Sequence, residues 1–507
     1  MNQSAIIYFM KLPKKGYSKT RLHNFLPADN ILHLCTYLIQ HNYQVIQDYP
    51  ADVYLFATPQ EELDQVPDYL DIELDRVFPQ LKSDHLGQRM AQAMDQVFQL
   101  GYQKVALMGC DLIDLDRSIL NQAFEGLDHC DLVLAPARDG GYGLIASKAF
   151  HPELFNLKHY SHDQVLRQTL DQAQAAGLTW NLTRTILDID DRDDVAAYLT
   201  GDPAATFLNQ GEYNANFIFD QGKKLLRVAL GSQMYLKHQI VYEYQALKAL
   251  EPSGVVPKVY DCQPETDLMG LGFLTEEFLP GRPLNYQTDL NKAAELLARV
   301  HHVDPKRGRD LIRADQPFEL MYEEFQSMFK QYQDWPQKDS QVESVILSLL
   351  DSLSIYDRQL PLEDPCIINT ELNSHNFLIN ESGPSYIIDW EKPLIGEREQ
   401  DLAHFLAPTT TLWRTDQLIE GEDLADFVTA YNKYSTAPVK KERLKQYLHF
   451  TCLRGVTWCA MAYVQYLDQT KVKAANSSAF ATIERFISLP FLKNIKAYIN
   501  DLEGLLQ

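Results

Sequence analysis

The sequence predicts two α/β regions joined in one chain. Three observations predict this. The first 200 residues alternate short apolar runs with helical periods, the pattern of parallel strands separated by crossover helices. From about residue 207 paired strands take over and then, beyond Asn291, mostly helix, which reads as α+β. Between the two, Thr200-Gly201-Asp202-Pro203-Ala204-Ala205-Thr206 has the Gly, Pro and small residues of a linker. The expected division is a first domain over 1–200, a linker over 201–206 and a second domain over 207–507. A chain of 507 residues allows two to four domains at ~100–200 residues each.

The elements follow in order. Apolar runs at 5–10, 52–56, 104–108 and 131–134 read as buried strands. Over 86–98, Leu86, Met90, Met94, Val97 and Phe98 recur at three- and four-residue steps, which predicts one apolar face of a helix. In such α/β sheets ligands sit beyond the carboxyl ends of the strands. Strands at 216–219 and 224–228 are joined by the turn Asp220-Gln221-Gly222. Further strand-like runs lie at 367–368, 377–379 and 386–388.

Composition narrows the function classes. With 45% apolar and 23% charged residues the chain is an ordinary globular one, which excludes general disorder, collagen and coiled coil. It is long enough to bury cores without disulfide or metal staples. Lys plus Arg number 46 against 69 Asp plus Glu; the net charge of −23 repels phosphate backbones and argues against nucleic-acid partners, while a local basic pocket for a nucleotide remains allowed. Seven cysteines without a Cys-x-x-Cys pair argue against a disulfide framework and a zinc site. The first apolar run is too short for a signal or a span, and no later run reaches ~18 apolar residues. The expectation is a cytoplasmic protein without membrane insertion, acting on small molecules; its oligomeric state is left open.

The strongest chemical signal is Asn369-Thr370-Glu371-Leu372-Asn373-Ser374-His375-Asn376-Phe377-Leu378-Ile379, followed by Tyr386-Ile387-Ile388-Asp389-Trp390-Glu391. It is a loop with a carboxylate, an amide, a strand, a turn and a second strand ending in another carboxylate. Phosphoryl transfer needs that set: one carboxylate takes the proton of the attacking hydroxyl, and hard oxygen donors hold Mg²⁺ against nucleotide phosphates. The segment resembles the catalytic loop and metal strand of the aminoglycoside phosphotransferase and choline kinase family, and the likeness runs over about residues 207–490. It implies a protein-kinase-like α+β fold, ATP as donor, Glu371 as catalytic base, and Asn376 and Asp389 as Mg²⁺ ligands. Arg227 in Leu225-Leu226-Arg227-Val228 would grip the phosphates with Glu243 as its helix partner, and 273–281 would hold the adenine. The stretches 296–301 and 401–405 complete the order. Two departures stand out. Glu371 replaces the family's Asp and Asn369 its His, and the loop over 209–216 has one Gly. Trp390, Trp413, Trp458 and Tyr463, with Glu391 nearby, are candidates to line an acceptor pocket, the alternative for Trp458 being a core position.

In the first region, Lys11-Leu12-Pro13-Lys14-Lys15-Gly16-Tyr17-Ser18-Lys19-Thr20-Arg21-Leu22 follows the first strand, a cationic loop that suits a diphosphate. Gly109-Cys110-Asp111 places a carboxylate after a strand. Ala135-Pro136-Ala137-Arg138-Asp139-Gly140-Gly141-Tyr142 brings two glycines that let backbone approach a ligand, and Asp188-Ile189-Asp190-Asp191 clusters carboxylates before a helix. Together these resemble a family of uncharacterised transferases, DUF2064, with a Rossmann-like nucleotide-diphospho-sugar transferase fold; the likeness covers about residues 3–200. It implies that Lys11, Lys19 and Arg21 bind phosphates, that Asp111 and Asp190 hold a divalent metal, and that Asp139, Gly140 and Gly141 face the acceptor. Helix capping is the alternative for Asp188 and Asp190.

The expectation for the whole chain is a bifunctional Mg²⁺-dependent transferase. The C-terminal region would phosphorylate a small hydroxyl acceptor, a sugar or an amino alcohol. The N-terminal region would use a second nucleoside triphosphate for nucleotidyl transfer to a phosphorylated metabolite. Two alternatives stand beside it: an N-terminal glycosyltransferase using a nucleotide sugar, and a nucleotide-binding regulatory module with an inactive kinase half.

Overall fold

The computed structural model describes residues 3–160, 162–419, 421–468 and 477–505. They fall into two compact units, one comprising residues 1–210, 215–221 and 265–272, the other 211–214, 222–264 and 273–507.

The first unit is built on seven strands: β1 (Ser4–Lys11), β2 (Asp52–Thr58), β3 (Val77–Pro79), β4 (Lys104–Met108), β5 (Leu132–Pro136), β6 (Tyr142–Ser147) and β7 (Trp180–Leu182). They lie in the order β3-β2-β1-β4-β6-β5-β7. The helices are α1 (Ala28–Gln47), α2 (Leu86–Phe98), α3 (Arg117–Gly126), α4 (Val165–Ala175) and α5 (Arg192–Thr200). Side chains of β1 alternate between two cores. Ile6, Tyr8 and Met10 join Ile39 and Tyr43 of α1 and Ile119 of α3 on one face, while Ala5, Ile7 and Phe9 join Met90, Met94 and Val97 of α2 on the other. A strand buried on both faces must read as a continuous apolar run, as β1 does.

One expectation is corrected. The sheet is mixed, not all parallel: β1 runs parallel to β2 and β4, but β6 is antiparallel to both β4 and β5. The reason is the turn Asp139-Gly140-Gly141. Gly140 has φ 87°, the Asp139 carboxylate accepts from the Gly141 amide at 2.8 Å, and the chain reverses directly from β5 into β6 without a crossover helix.

The second unit opens with an antiparallel set in which β12 (Phe273–Glu277) pairs with β10 (Lys224–Ala229) and β11 (Val259–Gln263). The hairpin β8 (Thr206–Gln210) and β9 (Asn214–Phe219), which apart from residues 211–214 falls within the first unit, precedes them in the chain, and Asp220, Gln221 and Gly222 turn the chain with positive φ at all three. Then come α6 (Gln239–Leu250), α7 (Leu290–His301), α8 (Pro317–Asp334) and α9 (Ser340–Asp351). Two small antiparallel pairs follow, β13 (Cys366–Ile368) with β16 (Leu394–Gly396), and β14 (Phe377–Leu378) with β15 (Tyr386–Ile387). The unit closes with α10 (Arg398–Leu406), α11 (Pro408–Arg414), α12 (Glu422–Tyr434), α13 (Lys441–Leu467), α14 (Ser477–Phe486) and α15 (Leu489–Asn500). Its core packs α13 on α8, with Phe318 stacked on Tyr447 at 4.4 Å between ring centres. Among the described residues no helix is long and apolar enough to cross a membrane.

Candidate active sites

In the second unit the loop after β13 is held from beneath. Asp401, fully buried on α10, accepts from the amides of Asn369 and Thr370 at 2.8–3.0 Å. His301 of α7 reaches the same carboxylate at 3.2 Å and Tyr431 at 2.8 Å on its other nitrogen. The motifs at 296–301 and 401–405 therefore act as a brace under the loop. The Asn369 side chain donates to the Asp389 carbonyl at 2.8 Å and accepts from the Glu371 amide at 3.1 Å, which ties the two chemical segments together. Thr370 (φ 73°) and Asp389 (φ 67°) both sit in the left-handed region, a conformation costing a β-branched or acidic residue about 1–3 kcal/mol and common where side chains are aimed at a ligand.

The hairpin β14–β15 does what its sequence implied. Phe377 pairs with Ile387, and the Asn376 amide nitrogen donates to Asp389 at 3.2 Å. Asn376 and Asp389 thus face one another, and Asp389 is about half exposed (47%). Asp389 offers hard carboxylate oxygen of the kind Mg²⁺ takes, whereas the Asn376 oxygen accepts from the Asn373 amide at 2.7 Å and its NH2 group faces Asp389, so Asn376 would have to turn its amide over to join as a ligand.

Arg227 is the hub beside them. Its guanidinium, 9% exposed, donates to Glu243 at 3.0 Å, to Asp389 at 3.1 Å and to Glu391. Burial works against its charge, yet Glu243, Asp389 and Glu391 outweigh that and hold it above its ordinary value. Burial raises Glu243 and Glu391 above the carboxylate range, Arg227 pulling the other way. Glu276 on β12 is pushed up to about 7, chiefly by burial.

Glu371 stands apart from this hub. Lys392 reaches it at 3.1 Å, Gln233 at 3.1 Å and Arg454 of α13 at 3.5 Å. Burial acts to raise its pKa, but Lys392 and Arg454 win and keep it ionised below its ordinary value. His404 beside it is held neutral at about 4 by burial and by Arg454. A cavity of about 250 Å³ opens on Glu371, lined among others by Gln233, Thr410, Trp413, Arg454 and Trp458.

The aromatic candidates separate. Trp413 and Trp458 line this cavity, edge to face at 5.5 Å. Trp390 does not. It is 1% exposed and donates to the Ile387 carbonyl within the core. Tyr463 packs instead on Trp335 and Phe480, and Glu391 serves Arg227 and Asn214. Lys392, Arg454, Gln233 and His404 were not singled out from sequence. Lys392, three residues past Asp389, was the one with a local signal.

In the first unit the cationic loop folds back over the ends of β1 and β4. Lys19, itself in the left-handed region (φ 47°), donates to Asp111 at 3.0 Å and to Asp190 at 2.7 Å. Burial alone would lower the ammonium's pKa; the two carboxylates outweigh it and hold it above its ordinary value. Lys11 donates to the Tyr17 carbonyl at 3.1 Å. Lys11, Lys19, Arg21, Asp111 and Asp190 line one cavity of about 420 Å³. Asp111 and Lys11 also border a second of about 330 Å³, walled by Asp139, Gly141, Tyr142 and Asp188. A Cβ on Gly140 would collide with the Asp163 carbonyl, so the turn requires glycine by space as well as by φ. Capping of α5 falls to Asp191, whose side chain accepts from the amides of Asp193 and Asp194. Asp188 and Asp190 are thereby left to the cavities. Burial, then Asp111, Asp139 and Asp190, push Asp188 up to about 7. Asp111 and Asp190 converge on one cation position, which the Lys19 ammonium holds; among the described residues no group of three or more His, Cys, Asp or Glu is arranged around an ion.

Comparison with known proteins fits this geometry to families. Residues 204–439 match the model of the phosphotransferase enzyme family, and residues 40–162 match that of DUF2064, an uncharacterized protein family conserved in bacteria. The chain carries a region of each. The C-terminal region is thus a transferase by family. Three solved structures are similar to parts of the chain. One is a candidate nucleotide-diphospho-sugar transferase of Desulfovibrio desulfuricans G20, with 28% identity over 39% of this chain and 87% of that one, TM-score 0.37. Another is a spectinomycin phosphotransferase solved with ADP and spectinomycin, with 14% identity over 58% and 93%, TM-score 0.43. The third is a choline/ethanolamine kinase family protein of Mesorhizobium loti, with 14% identity over 61% and 99%, TM-score 0.41. No curated protein matches the chain.

Proposed function

We propose that the chain is a bifunctional transferase: the C-terminal region moves the γ-phosphoryl group of ATP to a small hydroxyl acceptor, and the N-terminal region transfers a nucleotidyl group to a phosphorylated metabolite. The observation that carries the reading is the split of carboxylates in the second unit. Asp389 faces Asn376 and Arg227, whereas Glu371 faces a separate cavity. One set suits the nucleotide and the other the acceptor.

The acceptor hydroxyl enters the cavity at Glu371. The ionised carboxylate accepts the hydroxyl proton, the oxygen bonds to the γ-phosphorus, and the bond to the β–γ bridging oxygen breaks to release ADP. Glu371 is one methylene longer than the family's Asp, and Lys392, Gln233 and Arg454 fix where it ends. Mg²⁺, held by Asn376 and Asp389, would neutralise charge on the nucleotide phosphates. Arg227, fixed by Glu243, adds positive charge on the same side.

In the N-terminal region Lys11, Lys19 and Arg21 would receive the phosphates of a second nucleoside triphosphate. Asp111 and Asp190 would share a divalent ion once Lys19 turns toward those phosphates. Asp139 and the Gly140–Gly141 backbone would border the acceptor. The test is purified full-length protein with ATP, CTP, GTP or UTP, Mg²⁺ and an acceptor panel, read for ADP and pyrophosphate. ADP from the C-terminal reaction and pyrophosphate from the N-terminal one are expected. Absence of both overturns the reading, and nucleoside diphosphate released from a nucleotide sugar without pyrophosphate reassigns the N-terminal region to glycosyl transfer.

A further inference from the structure

We infer, resting on the phosphotransfer reading of Glu371, that the acceptor is a single-ring polyhydroxyl compound without positive charge, a neutral monosaccharide, and not an amino alcohol or a polycation.

The argument begins with charge. An ammonium taken out of water needs a carboxylate partner. Of the described residues lining the cavity, Glu371 is the one carboxylate, and Lys392 and Arg454 already face it at 3.1 and 3.5 Å. Two other acids of this unit are committed. Glu324 accepts from Arg454 at 3.0 Å, and Asp401 is fully buried under the loop by His301 and two amides. An acceptor cation would therefore meet the Arg454 guanidinium with no free carboxylate to answer it. His404 adds no negative charge.

Aromatic rings do not rescue a cation here. Trp413 and Trp458 meet edge to face, at 81° between planes. One ring covers a face of the other, so the pair does not box a single point as a quaternary ammonium requires. A sugar asks for less: donors and acceptors around its rim. The cavity supplies these in the hydroxyls of Thr410 and Thr451 and in the Gln233 amide, which donates to Glu371 at 3.1 Å and keeps its oxygen as an acceptor. Size agrees. A volume of about 250 Å³ has room for one sugar ring.

The test is isothermal titration of the full-length protein with matched ligands. The gluco, galacto and manno series would each be offered as neutral hexose and 2-amino sugar, beside choline and ethanolamine. ADP release from ATP would be read with the same compounds. In the series bound best, the neutral member is expected to bind at least about ten-fold tighter than its amino partner, the cost of one unpaired like charge. Choline and ethanolamine should give no saturable binding. Arg454→Gln should shrink the gap between neutral and amino members, an effect that lost packing alone would not produce. The inference is overturned if an amino sugar or choline binds as tightly as the neutral hexoses, or if no hexose of any series binds. ADP formed on an amine would sink the inference and keep the phosphotransfer reading; saturable sugar binding with ADP from no compound would do the reverse.

Discussion

Replacing Lys19 by Met keeps the apolar stem and removes the charge on which Asp111 and Asp190 converge. The ammonium is 14% exposed and its partners 34% and 41%, at 3.0 and 2.7 Å. A buried pair broken from one side costs about 3–5 kcal/mol, and an exposed one about 0–1. Because solvent reaches both carboxylates, the two contacts together should be worth about 1–3 kcal/mol. In a unit of this size that lowers the melting temperature by roughly 3–10 °C. The pH dependence has a definite sign. Burial acts to raise Asp190, but Lys19 outweighs it and holds the carboxyl below its ordinary range. Its stabilisation is therefore present above about pH 4 and is lost as pH falls through the depressed value. Lys19 itself, raised above its ordinary value, keeps its contribution throughout the neutral range. Calorimetry of full-length wild type and Lys19→Met at pH 7.5 and at pH 3.5 should show a deficit at the first that narrows at the second. An unchanged melting temperature at pH 7.5, or a deficit equal at both, would refute the ion-pair account.

Arg227→Met should lower the urea midpoint of the C-terminal unit by an amount equal to about 3–5 kcal/mol, because Glu243 is left buried without its cation; a loss under about 1 kcal/mol would mean that the hub does not hold the site together. Asp188 has a pKa raised to about 7, so the folded state binds its proton more tightly than the unfolded one and stability falls as pH rises from about 4 to about 7. Asp188→Asn should flatten that fall, and equal slopes in the two proteins between pH 5 and 7.5 would count against the burial described for it.

Much of this was legible in the sequence, for reasons tied to particular residues. The period at Leu86, Met90, Met94 and Val97 marks α2 because those side chains share one buried face. The continuous run at 5–10 marks β1 because both of its faces are covered. The antiparallel course of β6 escaped because Asp139-Gly140-Gly141 was read for its closeness to a ligand, although Asp-Gly between apolar runs is also a hairpin signal. At the sites, residues carried by local motifs could be named, and Asn376 and Asp389 do meet. Arg454 could not, since its 3.5 Å approach to Glu371 spans 83 positions and exists through the packing of α13 alone. Trp390 misled for the opposite reason: it adjoins Asp389 in sequence, but past the end of β15 the left-handed backbone at Asp389 leaves Trp390 in the core.

The most direct measurement is single-turnover ADP formation by Glu371→Gln, with ATP binding followed in parallel. Loss of the base should slow ADP formation by about 100- to 10,000-fold while ATP binding at Arg227, Asn376 and Asp389 is retained. A variant turning over within a few-fold of wild type would contradict the assignment of Glu371 to the acceptor hydroxyl.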